Sequence, residues 1–141
     1  MAEAIFMPRA KTHAIISSGV GIAYSLAVQA HRRKLHPLLP NAINPVHVIA
    51  CTVASFIGGC APDIFEPASR TVGPNHRGPF HSLSAGIGAV SGSYILGTDP
   101  STSIGQQWLC DLLGAFYAGY ASHLAADFCT PKSLHFLNRS F

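Results

Sequence analysis

Residues 82–97 read SLSAGIGAVSGSYILG. The run carries no charge, and its apolar residues do not alternate strictly with polar ones. It is also longer than an ordinary strand, so the pattern predicts a helix. Its composition is unusual for a helix in water, where each Gly costs up to about 1 kcal/mol relative to Ala. In lipid the same small residues let helix backbones approach closely, and Gly88 and Gly92 form a G-x-x-x-G pair. Three more segments share this character. They are residues 14–30, AIISSGVGIAYSLAVQA, residues 45–61, PVHVIACTVASFIGGCA, and the stretch from Ile104 to about Phe128. The last holds one internal acid, Asp111, before His123, and a small-residue stripe at Gly114, Ala118 and Ser122. Punctuated loops separate them: HRRKLHPLLPNAINP, PDIFEPASRTVGPNHRGP and TDPSTS. The expectation is an all-α, membrane-embedded antiparallel bundle of about four helices in a single domain, residues 1–141. The uncharged runs are short against the ~20 residues that span a bilayer. A compact soluble bundle is therefore the competing reading.

Charge is scarce: 11% of residues are Asp, Glu, Lys or Arg, against roughly 25% in soluble domains. The formal net charge of +3 and the lack of a basic run with interleaved aromatics exclude a nucleic-acid-binding face. Cys51, Cys60, Cys110 and Cys129 form no C-x-x-C pair and sit in or beside apolar runs, which predicts buried free thiols. Arg9 and Lys11 precede an apolar stretch ending AVQA, in the manner of a signal peptide. The HRRK that follows at once is unfavourable for export, so an uncleaved first helix is expected.

The eight histidines are many for so small a chain, and histidine is the commonest metal ligand. With short connections each helix runs antiparallel to the last. His13, Asp63, Glu66, His76, His81, His123 and Asp127 then gather at the end where the first helix begins. His31, His36, His47 and Asp99 fall at the other end without a comparable grouping. His123 and Asp127 lie four apart, one turn apart on one helix face. Gly78 and Pro79 turn the chain so that His76 and His81 face one point. Burying carboxylates and imidazoles together is costly unless cations or hydrogen bonds compensate. Two carboxylates with four histidines suit one or two divalent ions, Zn first and Mn or Fe next. Arg77 either neutralises a phosphate or pairs with Glu66. Ser82 is positioned to cap the third helix, and Thr130 with Pro131 to end the fourth.

The stretches THAIISSGVG, APDIFEPA, NHRGPFHSL and GYASHLAADFCTPKSL resemble, in order and over nearly the whole chain, the YdjM-like family of bacterial membrane-bound metal-dependent hydrolases. That family bears a distant likeness to zinc-dependent phospholipase C. The resemblance implies an inner-membrane location and metal-site positions at His13, Asp63, His76, His81, His123 and Asp127. The chain departs from the pattern in one place. Many members carry P-D-x-D, whereas Phe65 stands here where the second aspartate would be, followed by Glu66 and Pro67. Either Glu66 takes over that carboxylate's role or the site has one ligand fewer.

The expected activity is hydrolysis of a phosphoester, on a lipid or another small membrane-proximal substrate. Asp63 or Glu66 would orient or deprotonate the attacking water, and Arg77 would hold substrate charge. The alternative is a non-enzymatic metal-binding membrane protein, such as a sensor, scaffold or transporter subunit. Asp111 is its support, since an acid at membrane depth is usually functional. The plainer reading pairs Asp111 with the Arg32–Lys34 cluster. Small-residue stripes would permit homo-oligomers. Arg9, Lys11, Arg70, Arg77, Lys132 and Arg139 outnumber Arg32, Arg33 and Lys34, which places the site end in the cytoplasm.

Overall fold

The computed structural model describes residues 7–35, 42–65, 79–100 and 103–129. Four helices account for nearly all of them: α1 (Met7–Leu35), α2 (Pro45–Phe65), α3 (Leu83–Gly97) and α4 (Ile104–Phe128). A 3₁₀ turn, Pro79–His81, leads into α3. The all-α antiparallel arrangement is as the sequence predicts. The first two helices are longer than their uncharged cores, at 29 and 21 residues, and both are long and apolar enough to cross a membrane.

Local signals set the helix ends. Asn44 caps α2: its Oδ1 accepts from the backbone amides of Val46 and His47 at 3.0 and 3.2 Å. Pro45 then occupies the first helical position, where no amide hydrogen is needed. Ser82 caps α3 as expected, accepting from the Ala85 amide at 3.2 Å. Arg32, Arg33 and Lys34 lie in the last turn of α1, where positive charge complements the helix dipole.

The polarity of the bundle is inverted relative to a protein in water. Among the described residues the buried apolar side chains are few and mostly small, including Cys51, Ala61, Ala89 and Ala115. Buried polar ones are as numerous: His13, Ser17, Ser25, His47, Ser55, Asp111 and His123. The large hydrophobics face outward on every helix, as at Ile15, Ile49, Val53, Ile87, Ile95 and Leu109. Water would not tolerate so much contiguous apolar surface. A lipid solvent selects it, because the polar groups must then find their partners inside.

α1, α2 and α4 form the core, and α3 packs mainly on α4. Each core helix carries a stripe at four-residue intervals. On α1 it is His13, Ser17, Gly21, Ser25 and Gln29; on α2, His47, Cys51, Ser55, Gly59 and Asp63. On α4 it is Asp111, Ala115, Gly119, His123 and Asp127. The middle of every stripe is buried and small, and the helices touch there by backbone. A Cβ at Gly119 would strike the Ser55 carbonyl, and one at Gly59 would strike the Ser17 side chain. Ser55 Oγ donates to the Ser17 carbonyl at 2.7 Å, closing the α1–α2 seam. Of the sequence's G-x-x-x-G pair, Gly92 lies against the Tyr117 ring, but a Cβ at Gly88 would meet nothing.

Candidate metal centre

α1 begins at Met7, so His13 lies in its second turn rather than opening the helix. Its ring is buried and stacks on that of His123, with centroids 4.1 Å apart and an interplanar angle of 24°. α2 brings Asp63 to the same end. Pro62, just before it, has no amide hydrogen to give the Gly58 carbonyl, which loosens the last turn where the carboxylate emerges. The 3₁₀ turn carries His81. It is held by the Tyr120 hydroxyl, which donates to the Phe80 carbonyl, and by Phe80 stacking on Phe65 at 5.2 Å. α4 supplies His123 and Asp127 one turn apart.

The donor atoms of His13, Asp63, His81 and Asp127 then gather around His123. His123 Nε2 lies 3.5 Å from Asp63 Oδ1 and 3.6 Å from Asp127 Oδ2. His81 Nε2 lies 3.8 and 3.9 Å from the same two oxygens. His13 Nε2 approaches the other Asp127 oxygen, Oδ1, at 3.4 Å. The Asp127 carboxylate thus stands between His13 on one side and the His81–His123 pair on the other. The groups His13–His123–Asp127 and Asp63–His81–His123 each place one donor atom per residue within 4.8 Å of one another.

The donor set fits a divalent metal ion by three physical criteria. The separations exceed ordinary hydrogen-bond lengths, yet lie just above the ~3.3–3.4 Å between two ligands that share a tetrahedral ion at about 2.0–2.1 Å. Two carboxylates with three neutral imidazoles carry a formal charge that a divalent cation offsets. His123, whose side chain is fully buried, has no hydrogen-bond partner for either ring nitrogen among the described residues. A sealed imidazole without a hydrogen bond calls for another electrophile at its lone pair. Exposure grades across the cluster: the Asp63 side chain is 49% exposed, Asp127 21%, His81 10% and His123 0%. The centre therefore opens beside Asp63 and is closed beneath by His123.

Of the residues singled out in the sequence, His13, Asp63, His81, His123 and Asp127 come together. Glu66, His76 and Arg77 lie outside the described residues. The opposite pole corrects the sequence reading, which saw no grouping there. His47 Nε2 lies 2.9 Å from Asp111 Oδ2, Arg32 Nη2 2.6 Å from Asp111 Oδ1, and Ser25 Oγ 2.7 Å from His47 Nδ1. The plainer reading of Asp111, an acid paired with the basic end of α1, is the one the structure bears out. The missed signal was the four-residue stripe that runs from Ser25, His47 and Asp111 to the candidate metal centre.

No curated protein and no solved structure matches the chain. A family model described as YdjM inner membrane protein matches residues 7–138. The match spans both polar clusters and all four helices, and the chain belongs to the YdjM inner membrane protein family.

Proposed function

We propose that this protein is a metal-dependent hydrolase of the inner membrane, acting on a phosphoester through a metal-activated water. The observation that carries the reading is the set of five side chains from three helices and the 3₁₀ turn, with the buried His123 imidazole at its base. His81, His123, Asp63 and Asp127 would hold the ion, with His13 bracing Asp127 from the other oxygen. Zn fits this mixture of imidazole and carboxylate, and Mn or Fe would also be accepted. When bound, such an ion lowers the pKa of a coordinated water to about 7 and polarises a phosphoryl oxygen.

The remaining chemistry belongs to the chain. Asp63 stands at the mouth and can orient an entering water or take its proton. Glu66 follows it three residues on and is the second candidate for that proton. Arg77, in the segment before His81, is suited to hold the substrate's negative charge. The apolar outer faces beside the site suit a substrate that arrives along the membrane. The positive-residue bias of the sequence supports an open end that faces the cytoplasm. A reporter fused after Phe141 that is active only in the periplasm would reverse that orientation.

The test is elemental analysis of the detergent-purified protein beside a variant carrying His81→Ala and His123→Ala. Wild type should retain about one divalent ion per chain, and the variant should lose it together with hydrolysis of a chromogenic phosphodiester. Full metal content in the variant would end the reading. Metal binding without any hydrolysis would favour a metal-binding membrane protein that is not an enzyme.

A further inference from the structure

Hydrogen bonds link the side chains of the polar group at the far pole, with Arg32 Nε alone left without a partner among the described residues. The Asn44 amide donates to Gln29 Oε1 at 2.8 Å, which fixes the Gln29 amide so that Nε2 donates to Ser25 Oγ at 3.1 Å. The Ser25 hydroxyl is then directed to His47 Nδ1, and His47 Nε2–H to Asp111 Oδ2. Arg32 closes the chain on Asp111 Oδ1. Donors thus follow one direction, from the cap of α2 to a carboxylate on α4, by way of two side chains of α1. Trp108 lies edge-on to the His47 ring at 5.1 Å, and Cys51 sits beneath it.

Serine, histidine and aspartate in this order suggest a hydrolase triad, but the geometry opposes it. Ser25 is 0% exposed. It engages Nδ1 while the acid engages Nε2, the reverse of the assignment that activates a serine. Nor is Asp111 free to carry an ion through the bundle, because Arg32 and His47 occupy both its oxygens.

The three stripes give the group another role. Ser25 and His13 lie on α1, His47 and Asp63 on α2, Asp111 and His123 on α4. Each helix therefore carries at least one member of either pole, and these three pairs are separated by about 18–24 Å at 1.5 Å per residue. Between the poles the helices meet by backbone at Gly21 and Gly119, which leaves little freedom to slide or turn. We propose that Ser25, Arg32, His47 and Asp111 are positioning residues that set the axial and rotational register of α1, α2 and α4. Through these rods they fix how His13, Asp63, His123 and Asp127 meet. The consequence for a bound ion rests on the proposed metal centre; the consequence for the histidine geometry does not.

The experiment uses the full chain in detergent, ¹⁵N-labelled at histidine, as wild type, Asp111→Ala, the milder Ser25→Ala, and Lys34→Ala as an exposed control on the same end of α1. In metal-free protein the His13 and His123 imidazole signals should shift in Asp111→Ala and Ser25→Ala and stay in place in Lys34→Ala. Co(II) should bind Asp111→Ala at least ten-fold more weakly, with an altered visible absorption band. Imidazole signals and Co(II) binding unchanged in folded Ser25→Ala and Asp111→Ala, with only the melting temperature lowered, would overturn the proposal. Should wild type bind no Co(II) while the histidine signals still move, the metal reading fails and the register role stands.

Discussion

His13 and His123, more than a hundred residues apart in the chain, stack their rings at 4.1 Å near the end of the bundle. An imidazole binds a metal ion through a free lone pair, so ligation requires its unprotonated form. Metal content should therefore fall as the medium is acidified, because protons compete for imidazole nitrogens and carboxylate oxygens alike. Equilibrium dialysis against ⁶⁵Zn across a pH series checks this, and occupancy that rises toward acid would contradict it.

The side chains of the centre should not be equivalent. His123 is sealed and faces both aspartates, whereas Asp63 is half-exposed at the rim. His123→Ala should abolish metal retention. Asp127→Asn should weaken it more than Asp63→Asn, because Asp127 touches His13, His81 and His123 together. Competition with a chelator of known affinity ranks the three.

Tyr120 reaches the Phe80 carbonyl and so anchors the turn that presents His81. Tyr120→Phe removes one hydroxyl and should cost about 1 kcal/mol in that hydrogen bond. The fold should survive, with metal dissociating several-fold faster. Stopped-flow chelation beside circular dichroism separates the two effects.

Gly119 lies where α4 crosses the α2 backbone at Ser55, and Gly88 faces open space. Gly119→Ala should destabilise the bundle by about 1–3 kcal/mol through overpacking. Gly88→Ala should leave it unchanged or slightly more stable, by helix propensity. Thermal unfolding in one detergent compares them.

These contrasts mark what the residues disclosed in advance. Four uncharged runs bounded by Pro, Asn and Gly clusters were enough for four helices and their alternating directions. Those directions alone sent His13, Asp63, His81, His123 and Asp127 to one pole. Ser82 was readable as a cap because its side chain acts within four residues of its own position. Which glycines touch was not readable. Gly88 and Gly92 have the spacing of a helix contact, but rotation about the helix axis decides which of them meets a neighbour, and rotation depends on the other helices. Ser25 was equally silent, since a serine in an apolar run looks the same whether it faces lipid or an imidazole. His47 and Asp111 could be paired only after α2 and α4 were known to lie side by side.

Among the described residues, exposure at the candidate metal centre falls from Asp63 through Asp127 and His81 to His123. An ion held there would meet the medium first at Asp63, so the rim carboxylate would govern how fast it exchanges, while the buried imidazole would govern how tightly it is kept.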